Sequence, residues 1–427
     1  MSGPRDLAEL EARAKAGDAQ AQYILSAVLS RQGKKVDSRE WLRRAVAAGY
    51  PDALYTQATN LMSGLDGPPD FQRAEQILRD ATAKGSQAAR RTLALVRAVG
   101  ATDKPDWLKA AELLVDAALA GDGQALRELG FLIEMAAPGD PRAAHALLQA
   151  ARAKDGLAAF AVLRRSQRAS VGATQAELSE WSEVLRGFAY PLAHCLDGAT
   201  HTGSVSPAQL DRGQLLTLLR ELPGMRVPLR TGISESPRVA RIDKLMTAEE
   251  CEYVIGLAKP QLNPSTVTNP VTGQAMRHAE RTSSTASLAP LYQDLIIHCI
   301  NLRLAAAAKL PAENGEMLSI LRYEPGQEYS PHFDFLGSKN DPAAQFETAG
   351  QRIRTLLVYL NADYDGGETE FLSNRLKVRG SVGDAVLFHN VDDAGKPDLT
   401  SRHAGLPVKQ GAKWLASKWF RERAYRI

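Results

Sequence analysis

A chain of 427 residues is longer than one ordinary hydrophobic core can organise, so two or three folded units are expected. Hydrophobic residues make up 44% and charged residues 24%, which excludes a disordered or fibrous chain. The balance of 52 Lys+Arg against 49 Asp+Glu leaves a formal charge of +3, which sets up no general field for drawing in nucleic acid or an anionic membrane, and neither is expected as a partner.

Three cysteines, Cys195, Cys251 and Cys299, are few and far apart, which argues against a disulfide framework or a thiolate metal cluster and for a reducing cytoplasm. The opening stretch "MSGPRDLAELEARAKAGD" has no apolar run of the signal-peptide kind, and no stretch of about 18 uninterrupted apolar residues occurs. A cytoplasmic location is therefore expected. The most apolar window, "DLIIHCINLRLAAAAKL", is broken by His298 and Arg303 and predicts a buried helix.

In chain order, the first feature is a repeat. "AKAGDAQAQ", "VAAGYPDAL", "ATAKGSQAA", "ALAGDGQAL" and "ARAKDGLAA" align on Gly17, Gly49, Gly85 and Gly121, with Asp155 in that place in the last copy. The intervals are 32, 36, 36 and 34 residues, and Ala21, Ala53, Ala89, Ala125 and Ala159 follow four residues on. Glycine at a helix end and a small residue where helices cross are what a stacked helical-hairpin array requires. The pattern, in stretches such as "DSREWLRRAVAAGYPDALY" and "DWLKAAELLVDAALAGDGQAL", resembles the Sel-one-like repeats, relatives of the tetratricopeptide repeat, over residues 5–165. The resemblance implies an α-solenoid at residues 1–165 whose concave face binds a protein, with a plain helical bundle as the alternative.

Between 166 and 230 the punctuation is lost, while "TQAELSEWSEVLRGF" and "SPAQLDRGQLLTLLREL" keep helical spacing and predict a helical connector. "PGMRVPLRTGISESPR" marks a boundary by its Pro, Gly and Ser content. The last unit is placed at 231–427.

That unit begins with two predicted helices, "TAEECEYVIGLAKPQL" and "LYQDLIIHCINLRLAAAAKL". Short strands follow at "MLSILRYE", "YSPHFD", "RTLLVYLN", "ETEFL", "LKVRG", "DAVLFHN", "HAGLPV" and "KWLASKWFRE". Eight such strands favour a sandwich or barrel, and a double-stranded β-helix, or jelly roll, fits the count. On a strand, His332 and Asp334 at i and i+2 share a face, and a carboxylate turned into a barrel needs a compensating charge that a divalent metal supplies. A third ligand on an adjacent strand is expected to be a histidine, with His389 and His403 the downstream candidates. Two histidines and a carboxylate with open positions form the ligand set of non-haem Fe(II) oxygenases.

At this point the sequence resembles the Fe(II)- and 2-oxoglutarate-dependent dioxygenases of the prolyl 4-hydroxylase type. The motifs are "IDKLMTAEECEYVIGLA", "RTSSTASL", "ILRYEPGQEYSPHFDF", "QRIRTLLVYLNADYDGGETEF", "GDAVLFHN" and "RHAGLPVKQGAKWLASKWFRER", spanning residues 238–425. Carried over position by position, the resemblance makes His332, Asp334 and His403 both the Fe(II) ligands and the catalytic centre. It makes Lys413 the partner of the distal carboxylate of 2-oxoglutarate, and Thr355 and Tyr323 side chains that hydrogen-bond that cosubstrate. Arg352 and Trp419 match positions near the pocket, with no catalytic work assigned. Where family members often have Phe-Trp-Asn this chain has "FHN", and His389 is taken as a stacked or hydrogen-bonded imidazole rather than a ligand. His145, His194, His201, His278 and His298 have no partner spacing.

The expectation is thus a multi-domain α plus β protein, an N-terminal α-solenoid followed by a double-stranded β-helix with supporting helices. Its implied activity is hydroxylation of a prolyl residue in a peptide or protein, with Fe(II), 2-oxoglutarate and O2 and with ascorbate as a candidate further cofactor, releasing succinate and CO2. A free amino acid or small metabolite is the alternative substrate, and an interaction scaffold with an inactive oxygenase domain the alternative of another class. The helical repeats are expected to recruit the protein client, and the polar loop "LGSKNDPAAQFETAGQ" to act as a lid or substrate contact.

Overall fold

The computed structural model describes residues 4–65, 67–188, 190, 192–196, 208–222, 227–265, 267–268, 275–276, 281–289, 293–337 and 348–425. Two compact units form, one from Met1–Ala153 with Ala208–Arg220, the other from Lys154–Pro207 with Glu221–Ile427.

In the first unit the repeated glycines end helices. Gly17, Gly49, Gly85 and Gly121 all take positive φ, at 97, 72, 94 and 85°, a conformation that costs a residue without a Cβ little. The next residue starts the second helix of each hairpin. Asp18, Ser86 and Asp122 accept hydrogen bonds from the backbone N–H three residues on, at 3.0, 3.3 and 2.7 Å, and Tyr50 is instead followed by Pro51, whose fixed φ suits a first helical position. The last copy differs from the sequence alignment by one residue. Lys154, not Asp155, adopts the positive φ, and Asp155 is the cap, accepting from Ala158 at 2.9 Å. Ala158 rather than Ala159 is therefore the equivalent of Ala21, Ala53, Ala89 and Ala125, and all five are fully buried. The aspartate side chain, a helix-start signal, outranked the glycine in setting that register.

Each second helix of the first four hairpins packs on the first helix of the next. Gly130, in the helix Gly123–Ala136, shows how tight the fit is, because a Cβ built there would lie 2.7 Å from Leu147 Cγ and 3.1 Å from the Ala143 carbonyl. Gly130→Ala is expected to cost about 1–3 kcal/mol of overpacking, outweighing the roughly 1 kcal/mol that alanine gains over glycine in a helix. Thermal unfolding of the variant checks this; an unchanged or raised midpoint would show that the helices can separate freely. The helix Arg212–Leu219, from the predicted connector, also lies in this unit, where Trp107 Nε1 donates to the Leu219 carbonyl at 2.7 Å.

The second unit is built on two antiparallel sheets. The larger has eight strands in the order Arg230–Glu235, Arg238–Ile242, Ala385–His389, Arg352–Tyr359, Lys413–Arg421, Leu318–Tyr323, Ser284–Leu288 and Asn263–Pro264. The smaller has four, Leu376–Val378, Thr369–Phe371, His403–Gly405 and Tyr329–His332. Leu321, Tyr323, Leu357, Tyr359, Val386, Phe388 and Leu415 of the large sheet form one core with Phe371 and Val378 of the small one. On the opposite face of the large sheet Ile320, Leu356, Val358, Leu387 and Ala416 are buried as well. Burial on both faces explains why "RTLLVYL" reads as a nearly continuous apolar run.

Both predicted helices of this unit form, as Ala248–Ala258 and Leu295–Ala308. Arg303, which broke the apolar run, makes a two-pronged ion pair with buried Glu250 at 2.6 and 2.8 Å and ties the two together. The helix Gly156–Ser166 packs on Ala248–Ala258 through Arg164 to Glu252 at 2.9 Å and Arg165 to Glu249 at 2.8 Å. Gly256 lies beneath it: a Cβ there would collide with the Tyr190 hydroxyl and sit 2.6 Å from Leu157. The longer strands not anticipated from sequence are Arg230–Glu235 and Arg238–Ile242, which form a hairpin at the sheet edge, and Ser284–Leu288; the two-residue Asn263–Pro264 beside it was not anticipated either. Among the described residues no helix is long and apolar enough to cross a membrane.

Candidate metal centre

His332 closes its strand and His403 opens its own, and the two are direct cross-strand partners with ring centroids 4.3 Å apart. Each ring is held the same way. His332 Nδ1 is 2.8 Å from the Ser330 carbonyl and His403 Nδ1 is 3.0 Å from the Ser401 carbonyl, so each Nδ1–H donates to the carbonyl two residues back and each Nε2 is left to face the cavity between the sheets as a lone-pair donor. Aromatic rings fix the planes further. Tyr329 stacks on His332 with centroids 3.5 Å apart, and Phe388 meets His403 edge-on at 4.7 Å.

Asp334 joins them by a different route than strand alternation, because the strand ends at His332. Across the core, Thr355 Oγ1 donates to Asp334 Oδ2 at 2.7 Å and draws the carboxylate toward the histidines. Asp334 Oδ1 lies 3.6 Å from His332 Nε2 and Oδ2 lies 3.7 Å from His403 Nε2. One ligand atom from each of the three residues falls within 4.8 Å of the others, a spacing that one ion can bridge at bond lengths of about 2.0–2.2 Å. Burial, then the neighbouring His332, push His403 down to about 4, so it is a neutral imidazole at physiological pH. Burial alone would raise the Asp334 carboxyl, but His403, in the protonated form it takes at low pH, then His332 and the Arg352 guanidinium hold it below the usual carboxylate range. Two imidazole nitrogens and one carboxylate oxygen, preoriented around one space, fit a divalent cation and Fe(II) in particular.

Lys413 lies on the same inner face, in register with Tyr323. Its ammonium donates to the Gly367 carbonyl at 2.6 Å and sits 5.5 and 5.7 Å from the Tyr323 and Tyr359 rings. Burial lowers its pKa to about 8, and among the described residues it makes no ion pair. A buried cation that meets a carbonyl and ring faces, with Glu368 pulling on it only from beyond ion-pair distance, is a receptor for an anion, which a dicarboxylate cosubstrate would satisfy. Tyr323 is buried beside it, its pKa raised by that burial, with its hydroxyl hydrogen-bonded to Ser283. The Thr355 hydroxyl is engaged too, donating to Asp334 and accepting from Asn390.

A cavity of about 900 Å³ opens beside Asp334 and is lined by Arg281, Glu316, Tyr329, Arg352 and Trp419 among others. Burial works against the Arg352 cation, but Glu316, which accepts from it at 2.6 and 2.8 Å, raises its pKa overall, and the guanidinium stacks over Trp419 at 4.4 Å. His389 lies elsewhere. It is cross-strand from Arg354, on the face opposite Phe388, and burial with Arg354, Arg238 and Arg230 pushes it down to about 4. The metal-binding group contains His403, not His389. Residues 338–347, the bulk of the expected lid, and His201 and His278 lie outside the described residues. Glu316 and Asn390, the latter donating from Nδ2 to Thr355 Oγ1 at 2.9 Å, were missed in the sequence. Asn390 was legible in principle, as it shares parity with Phe388.

Over residues 318–421 the sequence matches the profile of the 2OG-Fe(II) oxygenase superfamily. It is 37% identical over 206 residues to prolyl 4-hydroxylase 1 of Arabidopsis thaliana, covering 45% of this chain and 71% of the plant protein. Among solved structures it is similar to the viral collagen prolyl hydroxylase of Paramecium Bursaria Chlorella virus-1 in its 2OG complex, at 27% identity, 44% of this chain, 99% of that one and a TM-score of 0.35. A Sel1 repeat protein from Oxalobacter formigenes matches at 23% identity over 43% of this chain and 78% of its own, with a TM-score of 0.36.

Proposed function

The chain belongs to the prolyl 4-hydroxylase family of Fe(II)- and 2-oxoglutarate-dependent oxygenases, and from that premise we propose that it hydroxylates a prolyl residue in a peptide or protein, releasing succinate and CO2. The observation that carries this function is the convergence of His332, Asp334 and His403 within one metal-sized space. These three would hold Fe(II). When bound, Fe(II) together with O2 and 2-oxoglutarate supplies the oxidising power to convert an unactivated C–H to C–OH, coupled to decarboxylation of the cosubstrate.

The residues of the chain do the remaining work. Lys413 receives the distal carboxylate of 2-oxoglutarate, and the buried Tyr323 hydroxyl lies beside it. Phe371, Phe388 and the tyrosine rings keep water from the inner face, which strengthens every charge contact made there. The cavity beside Asp334, bordered by Tyr329, Arg352 and Trp419, receives the substrate. The helical repeats serve to recruit the protein client.

Succinate formation by the full chain with Fe(II) and 2-oxoglutarate, compared for proline-containing peptides, free proline and no substrate, tests this function. Peptide-dependent succinate with a gain of one oxygen in peptide mass is the expected result, and adding or omitting ascorbate in the same assay reads its role. Turnover confined to free proline would move the substrate to a small metabolite. No turnover and no iron binding would leave a scaffold.

A further inference from the structure

We propose that Asn390 is a positioning residue that sets the orientation of the Asp334 carboxylate through the hydroxyl of Thr355, an inference that rests on His332, Asp334 and His403 holding a metal. Proton accounting carries it. An ionised carboxylate can only accept, so the single hydroxyl proton of Thr355 is committed to Asp334 Oδ2 at 2.7 Å. Whatever approaches the Thr355 oxygen must then donate, and Asn390 Nδ2 does so at 2.9 Å. This decides which way the Asn390 amide faces.

It also leaves Asn390 Oδ1 buried with no hydrogen-bond partner in a fully buried residue. An orphaned buried carbonyl is destabilising, and a leucine of similar volume would avoid that penalty. The backbone gives the side chain a fixed base, since the Asn390 N–H donates to the Ile353 carbonyl and its own carbonyl accepts from Asp398 N–H, both at 3.0 Å. Asp334, by contrast, lies past the end of its strand, where no ladder sets its side chain. The relay from Asn390 to Thr355 to Asp334 carries the rigidity of the large sheet to the one ligand that lacks a strand of its own.

The test is Co(II) titration of the metal-free full chain by calorimetry and visible absorption, with circular dichroism and thermal unfolding as controls on folding. Asn390→Ala is expected to weaken Co(II) binding by about 10- to 100-fold, the usual effect of losing an outer hydrogen-bond partner of a metal ligand. Asn390→Asp, isosteric and so less prone to misfold, sets an acceptor against the Thr355 oxygen, pulls its proton away from Asp334 and is expected to lose at least as much. In a Thr355→Val background, Asn390→Ala is expected to cost nothing further. Folded Asn390 variants that bind Co(II) as tightly as the parent would overturn the relay, as would an equal loss in both backgrounds. A parent protein that takes up no Co(II) would fail at the metal site itself and remove the relay with it.

Discussion

The His403→Ala variant is expected to lose Co(II) and Fe(II) binding by far more than the roughly 10- to 100-fold that an outer hydrogen-bond partner is worth, and succinate formation is expected to disappear with it. The ring is buried, wedged against Phe388 and cross-strand from His332, and among the described residues no other histidine joins the metal-sized cluster. His389→Ala is the matched control. That imidazole faces Arg354 on the far side of the strand, so its removal is expected to leave metal affinity and turnover unchanged. Metal titration and succinate release on both variants decide the matter, and the opposite pattern would reassign the third ligand.

Lys413→Ala is expected to raise the 2-oxoglutarate requirement steeply, because it leaves a buried carboxylate unpaired at a cost of about 3–5 kcal/mol, upward of roughly a hundredfold in apparent affinity. An unchanged requirement would place Lys413 outside the cosubstrate site. Its titration adds a pH signature. Burial lowers the lysine from 10.5 to about 8, so in the empty protein the cation is lost as pH rises through 8, and cosubstrate affinity is expected to fall over the same range. Folding stability runs the other way. Below about pH 8 the folded state bears the cost of a buried cation, and between 8 and 10.5 the unfolded state binds more protons, so this residue's penalty fades as pH rises. Lys413→Met is therefore expected to stabilise the empty protein while removing cosubstrate binding, a trade that thermal unfolding and 2-oxoglutarate titration would measure together.

Much of this site was legible before any coordinates because its chemistry is spread over short, strongly patterned strands. Thr355, Leu357 and Tyr359 do share the inner face with Lys413 and Leu415, as strand parity requires. Asp334 reached the expected place for a reason that parity did not contain: the strand stops at His332, and a threonine hydroxyl from the opposite sheet turns the carboxylate inward. Such a bond joins residues far apart in sequence and leaves no periodic trace. The hairpin Arg230–Ile242 escaped notice because its Gly, Ser and Pro residues have the composition of a linker, and its pairing partner, Ala385–His389, is distant along the chain. In the repeats, Lys154 stands where glycine is conformationally cheaper, so an alignment keyed to glycine slipped by one residue.

The helix Gly156–Ser166 completes the fifth hairpin in sequence, yet it is anchored to the oxygenase by Arg164, Arg165 and the bare surface of Gly256. The seam between the units therefore lies just before Lys154, with the helix Arg212–Leu219 belonging to the array although it follows later in the chain. A transplant begun at residue 231 would strip the oxygenase of a buttress that its own surface is shaped to receive.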